Sequence, residues 1–212
     1  MRLFLIRHGQ TQWNVEGRAQ GHTDIPLDEH GEKQAQMLAS ALSCECLDRI
    51  ISSDLQRSAG TAQVIANETG VLLELLPELR ERNIGDWEGL PYRRLWQGMD
   101  ELEAQGIPRE LIKAPNGESI RQVWDRLDSV VAALDKLERP VAVVTHGGTG
   151  ALLLAKLLRG TIQTGRAFRL GNCAITELER RQHDSFVIIR YNDISHLSGL
   201  RVMEGNLESA AT

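Results

Sequence analysis

Several features that would announce a function class are scarce or missing in this 212-residue chain. It has only three cysteines, Cys44, Cys46 and Cys173, which form neither an even set nor a Cys-x-x-Cys pair. That argues against a disulfide scaffold and for a reducing compartment. No stretch approaches the ~20 apolar residues of a membrane span. The opening run Leu3-Phe4-Leu5-Ile6 is too short for a signal-peptide core and is closed at once by Arg7-His8. A soluble, cytoplasmic protein with no membrane partner is the expectation. Positive charge is not in excess either: the net charge is −5, so the summed field repels nucleic acid, and no nucleic-acid partner is expected.

Motifs are missing as well. There is no His-Glu-x-x-His and no Cys-His cluster, so His22-x-Asp24 and Asp193-x-x-His196 read as solvated loop residues and no metal is expected. Gly147-Gly148-Thr149-Gly150 follows a strand, but Leu153 stands where a dinucleotide loop needs its third glycine, and no cofactor is expected. His146-Gly147-Gly148 has the look of an oxyanion strand, yet Gly-x-Ser-x-Gly occurs nowhere, which disfavours a serine esterase.

What is present is an alternation of strands and helices. Residues 2–6 and Val141–Val144 read as short buried strands, with Ile50-Ile51 and Val71-Leu72-Leu73 as further ones. Ala174–Leu178 and Phe186–Tyr191 make a pair near the C-terminus. Ala35, Leu38, Ala39 and Leu42 share one helical face, and Ile120, Val123, Trp124, Leu127, Val131, Leu134 and Leu137 share another. Ser53-x-x-Gln56 and Ser119-x-x-Gln122 fit the capping box, which predicts helices starting just after each serine. The pattern implies an α/β sandwich of one domain over residues 1–203, with an insertion at about 98–118 and a frayed tail over 204–212. Trp124 reads as core, and Trp87 as a cover for a ligand pocket.

The chemistry-bearing residues stand at strand ends. Arg7-His8-Gly9-Gln10-Thr11 follows the first strand and Thr145-His146-Gly147-Gly148 a later one, the position where ligands collect in open α/β sheets. Either histidine alone is better explained as structural. Two in the same topological position, each beside glycine, point to a ligand.

Arg7-His8-Gly9-x-Thr11-x-x-Asn14 resembles the signature of the histidine phosphatase superfamily, the phosphoglycerate mutase-like proteins. So, in the family's order, do Ser52-Ser53-Asp54-Leu55-x-Arg57-Ser58-x-x-Thr61-Ala62, Leu79-Arg80-Glu81-x-x-x-Gly85-x-Trp87-Glu88-Gly89, Pro115-x-Gly117-Glu118-Ser119 and Thr145-His146-Gly147-Gly148. The resemblance runs from about residue 2 to about residue 193. It implies a three-layer sandwich around a mixed, mostly parallel sheet. It further implies that His8 is a nucleophile that becomes phosphorylated and that Glu81 is the proton donor. Arg7, Arg57 and His146 would surround the phosphate, and Asn14, Gln20 and Gly147 would bind it.

Those roles are chemically sensible. Guanidinium forks match phosphoryl oxygens, and helix N-termini favour them too, so Arg57 with its capping-box helix could supply both. Two arginines and a second histidine disfavour protonation of His8, while Glu81 would have to be held protonated beside the substrate. Three functions follow: a phosphatase acting on a small phosphate ester, a phosphoglycerate mutase, or a phosphate-binding module without catalysis. The segment before Pro115 is short and mixed in sign, with Arg93, Arg94, Arg109 and Lys113 among Asp100, Glu101, Glu103 and Glu110. That favours the phosphatase over the mutase. All five expected catalytic side chains are present, which disfavours the third reading. Association as a homodimer is left open.

Overall fold

In the first strand, β1 (Arg2–Arg7), side chains alternate faces, and both faces must be covered because all four central residues are apolar. Leu3 and Leu5 enter one hydrophobic cluster and Phe4 and Ile6 a second, and all four are fully buried. Each such side chain contributes about 1.5–3 kcal/mol. The same division repeats in Val141/Val143 and Ala142/Val144, so the sheet must be sandwiched between two helical layers.

The computed structural model describes residues 1–181 and 186–200. After β1 come α1 (Gln12–Val15), α2 (Glu29–Leu42), β2 (Arg49–Ser52), α3 (Gln56–Thr69), β3 (Leu73–Leu75), α4 (Tyr92–Ala104) and α5 (Ile120–Leu134). Then follow β4 (Val141–Thr145), α6 (Gly147–Leu157), α7 (Ile162–Gly165), β5 (Ile175–Arg180) and β6 (Phe186–Asp193). The strands form one six-stranded sheet in the order β3-β2-β4-β1-β5-β6. β3, β2, β4 and β1 are mutually parallel, whereas β5 is antiparallel to both of its neighbours. Residues of α5 and α6 pack on the face of Leu3 and Leu5, and those of α2 and α3 on the face of Phe4 and Ile6. This is the expected mixed, mostly parallel three-layer arrangement.

The capping box at Ser119 is present in both directions: Ser119 Oγ accepts from Gln122 N at 3.2 Å, and Gln122 Oε1 accepts from Ser119 N at 2.9 Å. The one expected at Ser53 is not. α3 begins only at Gln56, its cap residue is Leu55, and Asp24 Oδ1 takes the Gln56 N–H at 2.7 Å instead. Asp24, an exposed loop residue as expected, thus also supplies a cap from a distant segment.

β3 lies two residues later than the apolar run Val71–Leu73 suggests, with Leu72 85% exposed. The segment set apart by composition at 98–118 begins inside α4, whose Leu95 and Met99 join Ala19, Ile84 and Ile112 in a third small core. Trp87 packs against that core and does not line the cleft described below; Trp124 is partly buried against the main core. The expected tail at 204–212 lies outside the described residues. Among the described residues no helix is long and apolar enough to cross a membrane.

Candidate active site

Sheet register brings the two histidines together. β1 and β4 are parallel neighbours with Arg7 opposite Thr145, and the His8 N–H donates to Thr145 O at 2.9 Å. The next residue of each strand is a histidine, and the two rings lie with centroids 5.1 Å apart. β2 ends at the same edge, where Ser53 N donates to Val144 O, so α3 enters with Arg57 beside His146. The chain after β3 delivers Glu81 there too. A cleft of about 640 Å³ opens over this edge, lined by Arg7, His8, Asn14, Gln20, Arg57 and Glu81, with Gly147 and Gly148 of α6.

His8 is 3% exposed, and its Nδ1 lies 2.7 Å from Gly9 O. A carbonyl only accepts, so Nδ1 carries the proton and Nε2 keeps its lone pair for the cleft. Burial first, then the charges of Arg57 and Arg7, holds the imidazole pKa well below its ordinary value. The neutrality expected from the arginines therefore owes most to desolvation.

His146 is buried more completely, and both of its ring nitrogens are engaged. Nδ1 accepts from Arg57 Nε at 3.2 Å, which leaves Nε2–H to donate to Ser53 Oγ at 2.9 Å. Its pKa is also held well down, by burial and then by Arg57, His8 and Arg7. His146 is not among the cleft-lining residues, so its expected contact with phosphate requires one of these bonds to open. Arg57 is 1% exposed and also donates to Gly21 O at 2.8 Å and Thr23 O at 3.0 Å. Three of its hydrogens are thus spent on protein, out of the five a guanidinium carries. Arg7 donates to Leu170 O, while its buried Nε has no partner.

Glu81 departs from expectation in its ionisation. Burial pushes its carboxyl up, but N–H donors from Arg82 and Gly148, the charge of Arg57 and the Thr149 side chain together hold it below the usual range. Gly148 N at 2.9 Å and Thr149 N at 3.0 Å are amides of the α6 N-terminus. A helix start stabilises a carboxylate, so the unliganded site holds Glu81 ionised rather than protonated. A Cβ at 148 would lie 2.9 Å from Glu81 Oε1, so a larger residue there would make the carboxylate shift. The helix donors expected to face phosphate are thus occupied by protein carboxylates at both α3 and α6; Gly147 lies against the Arg7 guanidinium.

Asn14 accepts from Thr11 N and Thr11 Oγ1 through Oδ1, leaving its amino group as the donor for a ligand. Gln20 is 5% exposed, and its Oε1 has no partner. Among the described residues no group of three or more His, Cys, Asp or Glu side chains is placed to hold a metal ion.

Sequence reading missed the residues that hold this set in place. His22 is not a solvated loop residue: its Nε2 lies 2.8 Å from Glu81 O. Arg126 donates to the carbonyls of Glu78, Arg80 and Glu81 and pairs with Glu118, which in turn accepts from Asn83 N. Asn172 Nδ2 donates to His8 O at 2.9 Å. Arg82 lines the cleft with a buried, unpartnered Nη1. Glu118 stands in the Pro115-x-Gly117-Glu118-Ser119 motif, Asn83 lies within the Leu79–Gly89 motif, and Arg82 and Thr149 adjoin motif residues; His22, Arg126 and Asn172 lie outside the motifs and carry no local signal.

Comparison with known proteins agrees with this geometry. The family model described as histidine phosphatase superfamily (branch 1) matches residues 3–194. A relative named probable phosphoglycerate mutase GpmB, from Cronobacter sakazakii, is 35% identical over 210 residues, covering 93% of this chain and 95% of the relative. Among solved structures, a mycobacterial glucosyl-3-phosphoglycerate phosphatase complexed with VO3 superposes with a TM-score of 0.78 at 33% identity, covering 90% of this chain and 98% of that one. The alpha-ribazole phosphatase from Shigella flexneri gives 0.81 at 30% identity, covering 91% and 96%. With paired histidines at adjacent strand ends and a family match over nearly its whole length, the chain belongs to the histidine phosphatase superfamily, branch 1.

Proposed function

We propose that the protein is a phosphomonoesterase that hydrolyses a small-molecule phosphate ester through a phosphohistidine at His8, without a metal ion. The observation that carries this is the His8 tautomer: Nδ1 is committed to Gly9 O, which leaves Nε2 unprotonated beside Arg7 and Arg57. Nε2 attacks phosphorus as the ester P–O bond breaks, and the departing alcohol oxygen takes a proton from Glu81. Water then attacks the phosphohistidine, giving its proton to Glu81 as the P–N bond breaks and orthophosphate leaves. Arg7 and Arg57 supply the positive charge that the phosphoryl oxygens need, and Asn14, Gln20 and Gly147 complete the phosphate cradle. His146 orients the Arg57 guanidinium through Nδ1.

Because free Glu81 is ionised, the proton enters with the substrate. A phosphate monoester has its second pKa at about 6, so its monoanion carries one in. The dianion's charge then raises the Glu81 pKa within the complex.

A phosphoglycerate mutase is the second reading, favoured by the name of the curated relatives and by Arg82, whose free Nη1 could hold a carboxylate. The phosphatase names of solved neighbours and the state of Arg109, which is already paired with Asp100 and Glu103, favour hydrolysis. Incubation with a labelled phosphate donor followed by alkaline denaturation tests the proposal. Label that is stable to base, labile to acid and lost in His8→Ala is expected; absence of any labelled protein under turnover contradicts a phosphohistidine.

A further inference from the structure

The cleft is far larger than a phosphoryl group, and beyond Glu81 its character changes. One wall comes from α4, which turns Leu95, Trp96 and Met99 toward it; the opposite wall is Phe168 and Leu170, from the loop after α7. Arg82, Arg109, Arg166 and Arg169 also line the cleft, and Arg82 keeps an unpartnered Nη1. Arg109 is paired with Asp100 and Glu103 and lies over the Trp96 ring at 5.8 Å, and Arg169 Nη1 donates to the carbonyls of Arg166 and Phe168. Apolar walls of this kind reward apolar surface on the occupant.

Resting on the phosphatase reading above, we infer that this chamber selects the leaving alcohol, and that the preferred substrates are phosphate monoesters of alcohols with an extended apolar or aromatic body. Three-carbon acids and polyhydroxylated sugars are disfavoured. The chamber is continuous with the phosphate site, so the occupant is the substrate's own leaving group. Trp96 is the side chain to test, because it is 38% exposed and its removal does not open the core, unlike Met99, which is fully buried.

The test is kcat/KM for n-alkyl phosphates from ethyl to hexyl, whose alcohols are nearly equal in acidity, beside glycerol phosphate and ω-carboxyalkyl phosphates of matching length. If each added methylene is buried in the transition state, kcat/KM rises by about two- to fourfold per methylene. In Trp96→Ala the hexyl-to-ethyl ratio falls by about tenfold or more, and Phe168→Ala lowers it from the other wall. Each variant serves as its own reference through the ethyl ester, so general damage does not imitate the effect. A flat series, glycerol phosphate outrunning propyl phosphate, or carboxyalkyl esters outrunning alkyl ones because Arg82 governs the chamber, would each overturn the inference while leaving the phosphatase reading intact. Hydrolysis of none of the esters would refute that reading itself, and the inference with it.

Discussion

Raising the pH from about 6 to about 8 should slow the hydrolysis of an alkyl phosphate by about tenfold per unit, because one required proton is lost over that range. The magnitude comes from the state of Glu81. Amide donors from Arg82, Gly148 and Thr149 hold its carboxylate ionised in the free protein. The productive complex nevertheless needs a protonated acid, so one proton must arrive with the phosphate, whose monoanion disappears above about pH 6. His8 adds no limb of its own there, since its pKa is already held well below the ordinary imidazole value by burial and by Arg57 and Arg7. The assay is kcat/KM for an alkyl phosphate against pH, with Glu81→Gln measured in parallel. At about pH 5.5 the variant should lose about 10²–10⁴ in rate, the usual worth of a general acid. The gap should narrow as pH rises, because the wild-type rate falls while the variant has no acid left to lose. A wild-type profile that stays flat from about pH 6 to about pH 8 would refute the argument: Glu81 would not be delivering a substrate-borne proton.

Other expectations follow from the same geometry. His8→Ala should abolish turnover and labelling, whereas His146→Ala should retain some label, with the rate lowered by about 10²–10³ as for loss of one electrostatic group; equal labelling of the two variants would remove His8 as nucleophile. Exhaustive EDTA treatment should leave activity unchanged, and loss restored by a single divalent ion would contradict the arginine-based site. His8 and His146 are buried neutral, so the unfolded chain binds protons that the folded one does not. Stability should therefore be complete above about pH 6.5 and fall on acidification by up to about 1.4 kcal/mol per unit for each histidine, read as urea midpoints; a midpoint that rises on acidification contradicts the burial argument. Ser53→Ala removes the acceptor for His146 Nε2–H and should cost about 1–3 kcal/mol, visible as a lowered Tm, whereas a mere cap deletion at α3 is ruled out because Leu55 holds that position.

Which parts of this arrangement were legible in the sequence depends on where each group finds its partner. β1 and β4 could be read because an apolar run closed by Arg-His or Thr-His carries both its burial and its boundary in adjacent residues. The Ser119 cap could be read because donor and acceptor stand three residues apart on one helix turn. Ser53 has the same local pattern and a different fate. Its hydroxyl meets His146 across a separation of 93 residues, and the α3 amide is satisfied by Asp24, 32 residues away. Val71–Leu73 misled for a related reason: β3 is an edge strand paired on one side only, so apolar character there does not report burial, and Leu72 faces out.

The ionisation of Glu81 shows what kind of property a motif does not carry. The Leu79-Arg80-Glu81-x-x-x-Gly85 motif picks out the residue, but its ionisation depends on Gly148 N and Thr149 N, brought in by α6. The backbone carrying Glu81 is pinned separately, by Arg126 from α5 and by His22 on the carbonyl of Glu81 itself. These two devices oppose each other chemically. The α6 N-terminus favours the carboxylate and so makes Glu81 a poor acid when the site is empty, while the clamp keeps it where an arriving phosphate can reverse that preference. On the proposed phosphatase reading, acid strength is thereby coupled to occupancy: the proton is available only when a phosphate is present to need it. That coupling follows from the meeting of segments far apart in sequence, and the steep limb above about pH 6 is its measurable consequence.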